Sequence, residues 1–263
     1  MSDKFDVLCL GSMDCFPQKN NDSSSYLING HILVDTSYST VKNLLDAGID
    51  PLCVDTVVFT HLHFDHYAGL AGLLYYIYFH GTKPLDDRIT LISAPECFDE
   101  IVNNAIEYFR YSDIKLSVCA RERIGTPRLV KLNTRGEIDI GDVKLKFIPS
   151  EHPVEGRCYV FENASGRSIG FSGDTSYRAE LDEFFMDVDC LFYEASYGTK
   201  DVERGNVNGH CSAHDCGRVA AAAKVKKLAI VHSRHDRAAL VECASEYYDG
   251  EIFCPVTGDR FEI

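Results

Sequence analysis

The segment Thr60-His61-Leu62-His63-Phe64-Asp65-His66 places four imidazole or carboxylate side chains within six residues. These are the ligands that zinc and similar divalent cations take. On a strand, alternate side chains share a face, so His61 and His63 can point to one spot. A turn after His63 brings Asp65 and His66 round to an adjacent spot. Four donors can anchor two metals but cannot complete both shells, so the remaining ligands must come from later in the chain. His152, Asp174 (in Phe171-Ser172-Gly173-Asp174-Thr175) and His232 are the candidates. Any one of them alone reads as an ordinary polar loop residue. Together, each following an apolar run, they read as a site, because sites collect in loops at strand ends.

The elements that must position these residues are legible from pattern. Val54–Thr60 is β-branched and aromatic, a strand that delivers His61. A helix is predicted from about Ala68 to Phe79, stopping at Gly81. Its apolar residues run nearly all round, so one side must meet a sheet and another a neighbour or ligand. His152 follows the predicted strand Val143–Ile148, Asp174 follows Ser168–Phe171, and His232 follows Leu228–Val231. Further strands are predicted at Phe5–Leu10, Ser25–Asn29, His31–Asp35, Ile89–Ser93, Arg128–Leu132, Cys158–Glu162 and Cys190–Tyr193. Helices are predicted at Thr40–Ala47, from Pro95 to about Phe109, and at Ala213–Lys224, the last opened by a capping box of Ser212 and Asp215. Many strands with interspersed helices and hairpins in both halves suggest sheet on sheet with helices outside.

The 263-residue chain has no low-complexity break and reads as one domain, residues 1–263. It carries 40 acidic against 26 basic side chains, a formal charge of -14. That balance argues against clamping a long nucleic acid by charge, though a metal or a few local cations can still receive a small anion. The 11 cysteines contain no Cys-x-x-Cys pair and several sit in apolar runs, which reads as buried thiols in a reducing compartment. No run approaches the length of a membrane span and the N-terminus lacks a signal-like apolar stretch. The expectation is a soluble cytoplasmic protein with no membrane partner.

The run His61-x-His63-x-Asp65-His66, followed in order by His152, Gly173-Asp174-Thr175 and His232, resembles the metallo-β-lactamase superfamily. The likeness starts at Leu8-Cys9-Leu10-Gly11-Ser12 and includes Val34-Asp35-Thr36. It implies an α+β, four-layer αββα sandwich with a metal site at the edge of the two sheets. It also implies a ligand set. The first metal takes His61, His63 and His152; the second takes Asp65, His66 and His232; Asp174 bridges both, as does a water or hydroxide. Gly209-His210-Cys211-Ser212 is similar to the ribonuclease Z and phosphodiesterase branch, where the corresponding histidine lies beside the leaving group. Asp189-Cys190-Leu191-Phe192-Tyr193-Glu194-Ala195-Ser196 resembles a strand of that branch, with Tyr193 where the branch has His. Cys211 stands where it has Ser or Thr. The transfer-RNA processing enzymes carry a long arm between the third-motif His and the Gly-Asp-Thr. Here residues 153–173, 21 in all, separate His152 from Asp174, enough for a hairpin only.

The resemblance therefore implies a dinuclear metal-dependent hydrolase. The expected activity is a phosphodiesterase on small phosphodiesters such as cyclic nucleotides, through a bridging hydroxide that attacks phosphorus. Asp65 is then both ligand and orienter of the attacking group, and His210 protonates the leaving oxygen or binds the phosphate. Two zinc ions are expected, with manganese or iron also suited to the mixed donor set. Arg234 and Tyr197 are candidate substrate contacts, and Arg178, like Arg234, could meet phosphate. The helix opening near Ala213 is expected to aim its amides at the phosphate. Tyr197–Asn208 reads as a surface loop that can act as a lid, Cys211 as a thiol to test for reactivity, and His214 and His235 as residues outside the ligand set. Tyr75, Tyr76, Tyr78 and Phe79 read as core. A homodimer is expected from the branch, with no stable binding of long nucleic acid. A ribonuclease Z-like RNA endonuclease, or a lactonase, thioesterase or arylsulfatase on the same scaffold, are the alternatives.

Overall fold

Alternation within short strands sets the layers. The computed structural model describes residues 3–113 and 124–263. In β1 (Asp6–Gly11), Val7 and Cys9 face one buried cluster while Leu8 and Leu10 face another. β3 (Ile32–Val34) sends Ile32 and Val34 to the first and Leu33 to the second. Strands apolar on both faces must be covered on both, which is why these runs show no polar face.

The first sheet has seven strands in the order β14-β1-β2-β3-β4-β5-β6. Here β2 is Ser25–Ile28, β4 Thr56–Val58, β5 Thr90–Ser93, β6 Arg128–Lys131 and β14 Arg260–Glu262. The second runs β13-β12-β11-β10-β9-β8-β7. It is built from β7 (Gly136–Ile140), β8 (Val143–Pro149), β9 (Arg157–Asn163), β10 (Ser168–Phe171), β11 (Cys190–Glu194), β12 (Lys227–Val231) and β13 (Glu251–Phe253). Both sheets are mixed, β3 to β6 and β10 to β13 being parallel. The sheets share one core that includes Tyr26, Phe161, Phe171 and Phe192. Outside the first lie α1 (Thr40–Asp46), α3 (Leu70–His80) and α4 (Phe98–Asp113); outside the second lie α5 (Glu180–Phe184), α6 (Ala213–Ala222) and α7 (Arg237–Ser245). The expected αββα sandwich is the observed fold.

At the shared core, the Phe192 ring stacks on Phe171 at 4.8 Å and meets Tyr26 at 5.1 Å. It is 1 % exposed. Phe192→Ala is expected to cost about 3–5 kcal/mol of stability, read as a lowered denaturant midpoint. An unchanged midpoint would show that the core collapses around the gap.

The parallel strands run in one direction, so their C-terminal ends meet along one edge. β8 joins them, since two antiparallel steps through β9 give it the direction of β10. The loops after β4, β8, β10 and β12 therefore open on the same edge, as the strand-end argument requires. The strand expected over Val54–Thr60 is shorter, and Asp65 and His66 lie on a separate helical turn, α2 (Phe64–Tyr67), rather than in a bare turn. Pattern reading did not find β7, β13, β14, α5 or α7. β14 is half exposed and pairs with β1 at the opposite end of the chain, so nothing local marks it.

Part of the all-round apolar character of α3 is met by a neighbour, since Tyr75 and Tyr78 pack on Phe109 of α4, but Tyr75 and Phe79 are exposed and the core expectation is corrected for these two. No helix among the described residues is long and apolar enough to cross a membrane. The cysteine expectation is corrected in part. Cys9, Cys158, Cys190, Cys211, Cys216 and Cys243 are buried and free, but Cys15, Cys53 and Cys97 are exposed; Cys119 lies outside the described residues.

Candidate metal centre

The edge formed by these strand ends gathers the seven expected ligands. His61 Nε2 and His152 Nε2 lie 3.1 and 2.9 Å from His63 Nδ1. Asp174 Oδ2 is 3.6 Å from His61 Nε2. Beside them, His66 Nε2 and His232 Nε2 are 3.3 Å apart and each lies 3.3 Å from Asp65 Oδ2. Asp174 Oδ1 faces this second group, 3.6 Å from His66 Nε2 and 3.4 Å from His232 Nδ1. The first group is His61, His63, His152 and Asp174, the second Asp65, His66 and His232. Asp174 stands between them with one oxygen toward each.

The outer nitrogens of these rings are tied down. His66 Nδ1 sits 2.8 Å from Asp35 Oδ2, and Asp35 also accepts from the Thr60 amide and hydroxyl at 2.7 Å each. His152 Nδ1 is 2.9 Å from the Gly209 carbonyl, which makes it the N–H donor and leaves Nε2 for a cation. His232 Nδ1 lies 2.8 Å from Ser196 Oγ. His232 and Asp35 both adopt left-handed backbone, at φ 52° and 56°. Two such non-glycine residues at one site are a local cost held by the surrounding contacts. Gly209 has φ +64°, and a Cβ there would come within 2.7 Å of His152 Cα, so only glycine lets its carbonyl reach the ring.

The donor set fits divalent cations. Burial and neighbouring rings push the pKa values of His61, His63 and His152 down, so all three are neutral at pH 7, the form that ligates. Burial also disfavours charge on His66 and His232, but the Asp174 and Asp65 carboxylates outweigh it and raise both. The imidazoles in turn hold the two carboxyls well below the usual carboxylate range despite burial. Asp174 Oδ1 is buried with no hydrogen-bond partner. An orphaned, ionised oxygen aimed at converging imidazole nitrogens is what a cation would satisfy.

His210 stands against this cluster, its ring centroid 5.0 Å from that of His152 and 5.9 Å from that of His232. It also lies within ligand-like reach of Asp174 and His232. Its Nδ1 is taken by Glu194 Oε1 at 2.8 Å. Burial lowers its pKa, but the hydrogen bond and charge of Glu194 outweigh that and raise it to about 9. It is therefore a cationic donor near pH 7. Glu194 is 1 % exposed and fixed by the amides of Thr175 (3.1 Å) and Ser196 (2.9 Å). Sequence reading assigned no role to Glu194 or Asp35, although both carry the same signal as the ligands, an acid at the end of an apolar strand.

Other expectations are corrected. The opening amides of α6 are spent internally: Ser212 N donates to Asp215, Ala213 N to the Gly198 carbonyl at 2.7 Å and Asp215 N to Ser212 Oγ. These amides offer nothing to a phosphate. Arg178 donates to the Pro149 carbonyl and pairs with Glu180 at 3.3 Å. Burial raises the Cys211 thiol well above its ordinary pKa, so it is an inert core group. His214, as expected, sits outside the cluster, between Asp201 and Glu246. In the expected lid, Asn206 donates to the Ser176 hydroxyl (3.2 Å) and the His210 carbonyl (2.7 Å), which pins the end nearest the site.

Tyr197 lies at the rim, 6.2 Å from the His210 ring, and accepts from Asn208 Nδ2. Arg234 covers Phe16 at 5.2 Å and pairs with Asp14 at 3.4 Å. Phe16, Phe64 and Tyr38 are exposed aromatics that sequence reading did not single out; Tyr38 and Phe64 meet edge to face at 5.7 Å.

Comparison with known proteins agrees with this fold. Residues 31–233 match the family described as "Beta-lactamase superfamily domain". The chain is 24 % identical over 302 aligned residues to ribonuclease Z of Haloferax volcanii, covering 97 % of this chain and 93 % of that one. Its fold matches the metallo-β-lactamase fold protein YhfI of Bacillus subtilis at a TM-score of 0.80 and 21 % identity, over 100 % of both chains. It also matches a diphosphatase from the PhnP family at a TM-score of 0.71 and 19 % identity, over 98 % of each.

Proposed function

This chain belongs to the metallo-β-lactamase superfamily of metal-dependent hydrolases, and on that premise we propose that it is a dinuclear-metal phosphodiesterase acting on small phosphodiesters such as cyclic nucleotides. His61, His63 and His152 would hold one divalent cation, Asp65, His66 and His232 the other, and Asp174 both. Zinc suits a set of five imidazoles and two carboxylates, with manganese the alternative. When bound, such cations lower the pKa of water and neutralise phosphate oxygens.

The observation that carries the reading is the Glu194–His210 pair. A buried carboxylate holds an imidazolium at the mouth of the cluster, where a developing alkoxide needs a proton. His210 donates that proton while Glu194 fixes its ring and charge. The size of substrate is argued from the interval between His152 and Asp174, which the β9–β10 hairpin fills. Without an arm, and at -14 overall, the chain has little with which to grip a long polyanion.

The test is a panel of bis(p-nitrophenyl) phosphate, cyclic mononucleotides, a lactone and a thioester with metal-loaded enzyme. Phosphodiester turnover is expected to lead by about tenfold or more, on the scale of selectivity that specific polar contacts give. Lactone or thioester turnover without phosphodiester turnover would overturn the reading. Ribonuclease Z-like RNA cleavage is the second reading, favoured by the full-length similarity to the Haloferax enzyme. Tight RNA binding that weakens steeply across a salt series would favour it.

A further inference from the structure

A second cavity, of about 230 Å³, is lined by none of the seven candidate metal ligands. Its walls come from the loop after β1, the loop after β12 with the start of α7, and the turn after β13. Three permanent cations line it, Lys19, Arg234 and Arg237, with Ser12, Asn20 and Ser233 between them. No aspartate or glutamate is among its lining residues, although the chain has 40 acids against 26 bases. Among the described residues, Lys19 and Arg237 form no ion pair. Arg234 spends only its Nε on Asp14, at 3.4 Å. Three exposed cations gathered in one concavity of an acidic protein, two of them without an ion pair, focus a local positive field and present hydrogen-bond donors to an anion.

The walls are built. Ser12 Oγ donates to the Pro255 carbonyl at 2.5 Å, Asn21 Nδ2 donates to Ser12 Oγ at 3.0 Å, and the Ser233 amide donates to the Ser12 carbonyl at 3.4 Å. The segments that line the cavity also run into the metal centre. Arg234 follows His232 by two residues, and the loop after β1 reaches Asp65, whose carbonyl accepts from Ser23 Oγ at 2.8 Å. Its size suits a small polyatomic anion better than a whole organic ligand, for which pockets are usually larger. Arginine and lysine donors in this density match a tetrahedral dianion.

We propose that this cavity is a second anion site that binds a phosphate monoester dianion beside the metal centre. The source of that phosphate is either a terminal phosphate on the substrate itself or free inorganic phosphate. Only the first deepens the phosphodiesterase reading; binding stands without it.

The experiment has two arms. In the first, inorganic phosphate is titrated calorimetrically into wild-type protein and into the double variant Lys19→Ala/Arg237→Ala. Affinity is expected to fall about tenfold or more in the variant, the loss of two charge-assisted contacts. No phosphate binding in the wild type, or equal binding in both, overturns the proposal. In the second arm, kcat/KM is measured for a 2′,3′-cyclic nucleotide with and without a 5′-phosphate. If the substrate supplies the phosphate, the wild type prefers the phosphorylated compound and the variant loses about tenfold of that preference. If phosphate binding falls in the variant while the preference ratio stays, free phosphate is the ligand. Bis(p-nitrophenyl) phosphate turnover by the wild type reports the metal centre separately, so failure of the phosphodiesterase reading is visible apart from failure of this site.

Discussion

Asp174→Asn is expected to lose metal and activity together, with turnover down by about 10³-fold or more and metal content well below that of the wild type. The reason is position. Asp174 is 3 % exposed and lies between the two donor groups, one oxygen toward His61 and the other toward His66 and His232. An amide keeps the shape but removes the charge, and its NH2 end has no lone pair to offer a cation. Both groups lose a shared anion at once, so neither is expected to retain its cation. Elemental analysis of purified variant, beside turnover of bis(p-nitrophenyl) phosphate, checks this. A variant that carries wild-type metal and hydrolyses at the wild-type rate would sink the assignment of Asp174.

His210→Ala should behave differently, keeping its metal while kcat falls by about 10²–10⁴-fold, the usual range for a lost general acid. His210 Nδ1 is committed to Glu194, and the ring is cationic, so it is not needed to hold a metal. The pH profile carries the sign. With its pKa raised to about 9, the ring bears the catalytic proton below that value and loses it above, so kcat falls as pH rises through about 9. Glu194→Gln removes the carboxylate that stabilises the imidazolium, so this alkaline limb should move to lower pH. A full rate in His210→Ala, or an alkaline limb that stays put in Glu194→Gln, would remove His210 from the acid role.

These two variants separate ligation from proton transfer, a distinction the residues themselves only partly disclosed. His61, His63, Asp65 and His66 were readable because strand and helix geometry converts spacing into direction within a few residues. His152, Asp174 and His232 were readable for a related reason, each following an apolar run that had to be a buried strand. Glu194 carried the same mark, but its task depends on Nδ1 of a histidine from a different loop, and no local pattern reports that distance. The α6 amides show the reverse failure. A capping box was legible in Ser212 and Asp215, and the box that identifies the helix start also consumes the amides thought free for phosphate.

The sequence by itself determined sheet on sheet with helices outside and the donor types gathered at strand ends, which follow from periodicity and side-chain chemistry acting over a few residues; the four-layer order and the edge that holds the site came from the family resemblance. Only the tertiary structure decided which oxygen of Asp174 faces which histidines, that Glu194 charges His210, and that Lys19, Arg234 and Arg237 meet in one acid-free cavity. Each of these depends on loops far apart in the chain being held within a few ångströms by the packing of two sheets, and such distances are set by the shared core.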